Sequence, residues 1–271
     1  IHFLTGPLHK EQVLDSINIY KIKKKINLFE IGFPKIDDLY NQNYSRNKIL
    51  SKLKLDKNNI TILLSPAWDP GMLLSDFGIN CAKSILEIYK NFNLIVKLHP
   101  SSLVKSTHEH FELYTQGIDW RKEFSKLDHY NNFKFYEESN SNEVLAVSDI
   151  MITDVSSISY EYLVQKKPVF FYDSPKFFDK EIKVFYEKFQ NKTEFIGNPR
   201  INPRINCGRN LGHVFYSLDD LNKLIDLYKE NKSLFNIKDK AFVDNLFYNI
   251  GNSKKVAGEK LNQILRDEKN F

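Results

Sequence analysis

Five short apolar runs, separated by stretches of helical periodicity, constrain this chain more than any other feature. Ile60-Thr61-Ile62-Leu63-Leu64 is the first, ended by Ser65-Pro66, and Asn93-Leu94-Ile95-Val96-Lys97-Leu98 the second, ended by His99-Pro100. Runs over 133–136, 149–153 and 168–172 come after them. Their apolar character is continuous rather than alternating, which marks strands covered on both faces, as in a parallel sheet. Leu74, Phe77, Ile85, Ile88 and Tyr89 fall at helical spacing over 74–90. Shorter helices are predicted over 141–148 and 156–166, and a C-terminal pair over 218–230 and 254–266. Strand–helix–strand alternation with right-handed crossovers gives an α/β fold, a doubly wound parallel sheet of Rossmann-like type. The segment 103–130 is more polar and reads as one broken helix or two. Residues 175–210 show no clear period, and two copies of Asn-Pro-Arg-Ile, 198–201 and 202–205, make part of that stretch a loop.

Residues 1–34 differ from the rest of the chain. Strands over 1–4 and 27–31 flank a helix at about 7–20, and Gly32-Phe33-Pro34 leads onward. This resembles the tail of one α/β unit with its linker, so a main domain is expected over 35–271. The chain opens on Ile1, and we expect it to be part of a longer polypeptide.

Composition narrows the class. At 42% hydrophobic, 27% charged and 14% aromatic, the 271 residues exclude a disordered tail and supply ample material for a large core. Cys81 and Cys207 lie too far apart for a C-x-x-C zinc or redox motif, and a reducing cytoplasm is the simplest compartment. No apolar run approaches the roughly 20 residues that span a bilayer. The net charge of +5 permits anionic partners such as phosphates, nucleotides or a lipid headgroup surface. Nucleic acid is not expected, since neither a basic stripe nor a readable motif is present. The run Lys21-Ile22-Lys23-Lys24-Lys25 reads as a solvated stretch between elements, with attraction to a membrane surface as the alternative.

In an open parallel sheet, ligands gather at the carboxyl ends of the strands. The strongest constellation there is Thr153-Asp154-Val155-Ser156-Ser157, with Glu161 just beyond it. A strand stops at Thr153 and a helix starts near Ser156, where unpaired N–H groups and two hydroxyls could receive phosphate oxygens. Glu161, a turn further on, could accept from ribose hydroxyls. The alternative is plain capping by Asp154 or Ser156, with Glu161 a solvated carboxylate. A second constellation is Lys97-Leu98-His99-Pro100: Pro100 holds His99 extended, so its imidazole lies near the strand ends, suited to proton transfer with a phosphoryl oxygen or a hydroxyl. The alternative is a loop histidine bonded to a neighbouring carbonyl. The third is Ser65-Pro66-Ala67-Trp68, whose indole could wall a site or cover the core edge.

Weaker candidates remain. His108 and His110 on a helix would point apart, against metal binding. Arg200, Arg204 and Arg209 could meet phosphates or be solvated, and Gly212 could let backbone approach a ligand. No Walker A, G-x-G-x-x-G, H-E-x-x-H or G-x-S-x-G motif occurs, which argues against a P-loop nucleotidase, a dinucleotide dehydrogenase, a zincin and an α/β-hydrolase.

Together these segments resemble the CDP-glycerol glycerophosphotransferase family of teichoic-acid and capsule polymerases. Gly32-Phe33-Pro34-Lys35-Ile36-Asp37 is similar to the family's Gly-Tyr-Pro-Arg-Asn-Asp, and Ser65-Pro66-Ala67-Trp68 to its Ala-Pro-Thr-Trp. Lys97-Leu98-His99-Pro100 is similar to its Arg-Pro-His-Pro. Thr153-Asp154-Val155-Ser156-Ser157 with Lys167-Pro168 and the strand after it resembles its Thr-Asp-Tyr-Ser-Ser and Arg-Pro-Ile-Ile-Phe-Tyr. Asp69, Lys97-Leu98 and Glu161 depart from the family's Arg, Arg-Pro and Asp.

The resemblance implies the C-terminal, donor-binding half of a GT-B enzyme, with residues 1–34 ending its partner domain. It implies a transferase moving a polyol phosphate from a CDP-activated donor to a polymer or lipid-linked acceptor. No metal or other cofactor is implied, and the location is cytoplasmic, peripheral on the inner face of the bacterial plasma membrane. Ser156 and Ser157 would hold the donor diphosphate, Glu161 the ribose and His99 a phosphoryl oxygen. From their places at the strand ends and in the loops, Asp154, Trp68 and Ser65 are expected to complete the donor site, with Arg209 and Lys97 as candidate phosphate contacts. A nucleotide-sugar glycosyltransferase or UDP-sugar 2-epimerase-like enzyme, and a non-catalytic binding module, are the alternatives.

Overall fold

The computed structural model describes residues 1–181, 208–235, 237 and 239–268. The chain divides into two compact units, one of residues 1–44 with 239–271 and one of residues 45–238. That grouping cuts across the expected division after residue 34, because the C-terminal helix joins the N-terminal segment.

In the first unit, β1 (His2–Leu4) pairs in parallel with β2 (Leu28–Glu30), with the helix Pro7–Ile19 between them. The helix Ser253–Glu268 closes the unit. Its first turn is held by Asp37, whose Oδ2 accepts from the Lys254 N–H at 2.7 Å. Gly32 is forced here: its φ is +86°, and a Cβ would run into the Tyr248 carbonyl and the Ser253 side chain.

The second unit carries the large sheet: β3 (Ile60–Leu64), β4 (Phe92–Val96), β5 (Phe133–Phe135), β6 (Ile150–Thr153), β7 (Val169–Tyr172) and β8 (His213–Phe215). Their spatial order is β5-β4-β3-β6-β7-β8 and every pairing is parallel. The chain runs outward from β3 to β5, returns to the other side of β3 as β6, and runs outward again. β3 and β6 therefore flank a topological switch point.

Both faces of this sheet are covered, which explains the unbroken apolar runs; all five residues of β4 are buried. Ile62, Leu64, Leu94, Val96, Ile152 and Phe170 join one core with residues of the helices Leu73–Phe77, Asn80–Ile88, Trp120–Ser125 and Leu218–Glu230. Leu63, Ile95 and Met151 alternate with them and are equally buried on the opposite face. The helices Asn142–Val147 and Ile158–Leu163 pack against β3 and β6 respectively, and Arg46–Leu53 packs against Asn142–Val147.

Three expectations change. The helix predicted over 74–90 is two helices, broken at Gly78 with φ +54°, and Ile88 is 54% exposed rather than packed. The helix predicted over 156–166 is Ile158–Leu163 with a turn after it. The polar segment 103–130 holds two short helices, Phe111–Thr115 and Trp120–Ser125, one of the two forms expected of it. A sixth strand, β8, went unpredicted because it comes straight after the aperiodic stretch that ends at residue 210. The Asn-Pro-Arg-Ile copies, with Arg200 and Arg204, and Cys207 lie outside the described residues.

Candidate functional site

The carboxyl ends of β3, β4 and β6 are stitched together by short polar side chains. Thr153 Oγ1 donates to the Ser65 carbonyl at 2.7 Å, and Ser65 Oγ donates to the Lys97 carbonyl at 2.9 Å. Ser65 is 4% exposed and Thr153 fully buried. Ser65 thus holds the rim in shape, with its hydroxyl already engaged.

Asp154 comes directly after Thr153 and turns inward. Its Oδ1 accepts from the Ala67 N–H at 2.8 Å and its Oδ2 from the Leu73 N–H at 2.9 Å, with the residue 1% exposed. The carboxylate therefore fastens the loop after β3 to the end of β6, rather than capping the helix Ile158–Leu163 that follows it in sequence. Burial pushes this carboxyl up to about 6, against the opposing pull of the two backbone bonds. Asp69, on the same loop, is raised for the same reason.

Ser156 and Ser157 stand at the mouth of the switch point. Ser156 is half-buried and Ser157 exposed. Ser157 occupies the N-cap position of the helix Ile158–Leu163, yet its side chain makes no capping bond. The hydroxyls of neither serine bond to any group among the described residues, while those of Ser65, Thr153 and Ser159 all do. Capping is thus excluded as their role. Glu161, one turn along, is half-buried.

His99 leaves β4 in extended backbone, φ −62° and ψ 142°, as Pro100 requires. Its Nδ1 accepts from the Ser101 N–H at 3.1 Å, so the neutral ring carries its proton on Nε2. Desolvation of part of the ring lowers its pKa and favours that neutral form. The arrangement presents an exposed imidazole as a hydrogen-bond donor.

The remaining predicted residues have varied surroundings. Trp68 is half-buried and meets Tyr114 edge-on, ring centroids 5.0 Å apart. Lys97 donates to the Glu138 carbonyl at 2.7 Å and lies over the Tyr136 ring. Arg209 is 8% exposed, ion-paired to Asp173 at 2.5 Å and set against the Phe178 ring. Gly212 serves a close approach to β7 rather than to a ligand: a Cβ would lie 2.5 Å from the Val169 carbonyl. His108 and His110 precede the helix Phe111–Thr115 instead of lying on it, and their rings sit 5.7 Å apart beside Tyr114. Among the described residues no group of His, Cys, Asp or Glu could hold a metal ion. Sequence reasoning missed two ties at the end of β7, Asp173 with Arg209 and Tyr172 with Asp76; an acidic residue directly after a strand was the available signal for the first.

Comparison with known proteins agrees with this geometry. A teichoic acid poly(glycerol phosphate) polymerase of Staphylococcus epidermidis is 28% identical over 176 residues, covering 60% of this chain and 22% of that protein. A teichoic acid glycerol-phosphate primase of Bacillus subtilis is 27% identical over 159 residues, 57% of this chain and 36% of that protein. The aligned region thus spans well under half of these relatives. Among solved structures, the wall teichoic acid polymerase TagF superposes with TM-score 0.66 at 18% identity, over 99% of this chain and 58% of that one. UDP-GlcNAc 2-epimerase from Neisseria meningitidis superposes with TM-score 0.52 at 16% identity, over 97% of this chain and 61% of that one. These likenesses establish the fold, a Rossmann-like sheet of the GT-B kind. The family-level match runs over residues 9–193, which takes in every strand-end loop from Ser65 to Asp173, and the chain belongs to the CDP-Glycerol:Poly(glycerophosphate) glycerophosphotransferase family.

Proposed function

We propose that this chain is the donor-binding part of a transferase of bacterial cell-envelope polymer synthesis, moving a glycerophosphate-type group from a CDP-activated polyol to an acceptor hydroxyl. One observation carries the reading: two serine hydroxyls with no partner among the described residues stand at the switch point of a six-stranded parallel sheet, in the segment that matches the family. TagF has also been solved after soaking with CDPG.

In this reading Ser156 and Ser157 receive the donor diphosphate, Glu161 accepts from the ribose, and Trp68 walls the site. Ser65 and Asp154 shape the rim behind them, and Lys97 and Arg209 lend positive charge from positions already tied to protein. The acceptor oxygen attacks the β-phosphorus; a phosphodiester bond forms, the anhydride bond to CMP breaks, and CMP leaves with the bonding electrons. His99 Nε2–H stabilises the phosphoryl oxygen as charge builds there, and the acceptor's proton passes to a base on the acceptor side. Catalysis is then positioning and charge stabilisation. Residues 35–271 form the donor domain in the functional sense, and residues 1–34 belong to its partner. We place the protein in the cytoplasm against the inner membrane face. Exposed Tyr20, Ile22, Lys21 and Lys23 to Lys25 support that placement; among the described residues no helix is long and apolar enough to cross a membrane.

A thermal-shift panel of CDP-glycerol, CDP-ribitol, CMP, UDP-sugars and buffer tests the reading. CDP compounds raise the midpoint if it holds. Protection by UDP-sugars alone would favour a nucleotide-sugar enzyme, and no protection by any nucleotide would favour a binding module.

A further inference from the structure

We propose that Asp154 is a positioning residue of the crevice: its carboxylate, as a double acceptor, holds the loop 67–73 and with it Trp68 at the edge of the nucleotide site. The ligand half of this inference rests on the donor reading above; the loop-holding half does not.

The geometry assigns the role. Both carboxylate oxygens are spent on backbone N–H groups of one loop, from a residue on the opposite side of the switch point. Leu73 opens the helix Leu73–Phe77, whose N-cap residue Met72 has no side chain able to cap. Asp154 therefore does from β6 what a local cap would otherwise do. The loop needs such a hold, since Gly71 at φ +77° turns it sharply. The far side of the same helix is fixed independently: Asp76 accepts from Tyr172 Oη at 2.8 Å and pairs with Lys176 at 2.6 Å. Trp68 adjoins Ala67 directly, so release of the Ala67 N–H moves the indole.

Only an ionised carboxylate accepts twice in this way; a carboxylic acid or an amide turns a donor toward one of the two N–H groups. With its carboxyl at about 6, Asp154 loses that capacity on mild acidification. The groups facing it are Asp69 on the loop, Cys81 on the helix Asn80–Ile88 and Tyr172 on β7. The thiol and the phenol are both raised by burial and stay neutral through the range, which leaves Asp69 as the neighbour that titrates toward it. The linkage sign is distinctive. A carboxyl raised from its ordinary value contributes less folding stability as pH climbs through its folded pKa, so acidification loosens the loop while this residue's share of global stability grows.

The test tracks Trp68 emission, taken as the difference between the protein and its W68F variant, from pH 7.5 to 5.0. It is run in an H108Q/H110Q background because those imidazoles pack beside Tyr114. A transition centred near pH 6 is expected, and D154N should show none, already resembling the acid form at pH 7.5. Calorimetric binding of CDP-glycerol, whose diesterified pyrophosphate has no titrating proton in this range, should weaken at least tenfold in D154N at pH 7.5. A flat Trp68 signal in the parent protein overturns the proposal without requiring any Asp154 variant to fold. D154N binding with the affinity and pH profile of the parent overturns it as well. A Trp68 transition without CDP-glycerol binding at any pH would remove the donor reading and leave the loop-holding role standing.

Discussion

Thr153 Oγ1 lies 2.7 Å from the carbonyl oxygen of Ser65, joining the ends of β6 and β3 where the sheet reverses its order. A valine at 153 keeps the shape and removes the donor, leaving a buried carbonyl with one partner fewer. We expect Thr153→Val to lower stability by about 1–2 kcal/mol. The urea midpoint should fall with an unchanged slope, since the surface exposed on unfolding stays the same. A midpoint equal to wild type would show that the bond contributes nothing net.

The serine pair predicts the opposite pattern. Because neither hydroxyl bonds to the described protein, the S156A/S157A double variant should melt within about 1–2 °C of wild type without nucleotide. Its stabilisation by saturating CDP-glycerol should shrink by more than half, because stabilisation by a ligand scales with RT ln(1 + [L]/Kd). Equal ligand-induced shifts in the two proteins would remove the serines from the donor site.

The framework of this fold was legible because buried parallel strands write themselves as unbroken apolar runs, and each of the five predicted runs overlaps an observed strand. Thr153-Asp154-Val155-Ser156-Ser157 was legible as a candidate site because it combines a strand end, a turn and hydroxyls within five residues. Its internal division of labour was not. Asp154 and Ser65 are set apart from Ser156 by which way they point, and that depends on Ala67, Leu73 and Lys97, partners 32 to 87 residues away. Similarly, Gly32 and Asp37 stood out as motif residues, but their role in seating the helix Ser253–Glu268 depends on packing more than 200 residues distant.

His99 separates chemistry from folding. The ring is exposed and among the described residues makes one bond, to a neighbouring N–H, so His99→Ala should leave the melting temperature nearly unchanged. Turnover of the full-length enzyme should fall by about 10²–10⁴, the usual worth of a group acting on the proton or charge of the reacting centre. Retained wild-type turnover would sink that role. Because the pKa is lowered, the neutral donor form persists into mildly acidic solution, so no loss of rate from this group is expected on going from pH 8 to 7.

Asp37 and Asp38 are adjacent carboxylates with unequal tasks at the start of the helix Ser253–Glu268. Asp37 is 3% exposed and accepts the Lys254 N–H, whereas Asp38 pairs with the Lys254 ammonium at the surface. Removing the cap should cost about 1–2 kcal/mol. Asp37→Ala should therefore speed amide exchange across the first turn of that helix while exchange in β3 and β4 is unchanged. Asp38→Ala should do far less, as a solvent-screened pair contributes little. Its hydrogen bond to Lys254 holds the Asp38 carboxyl below its ordinary value, so what the pair does contribute is complete above that ordinary value and disappears as pH falls through the lowered one. Comparing the two variants in a titration downward from pH 7 checks both halves: the gap between Asp38→Ala and wild type should hold at neutral pH and narrow once pH falls below the ordinary carboxylate value. Exchange in the helix unaffected by Asp37→Ala would mean that the helix is seated by its apolar contacts alone.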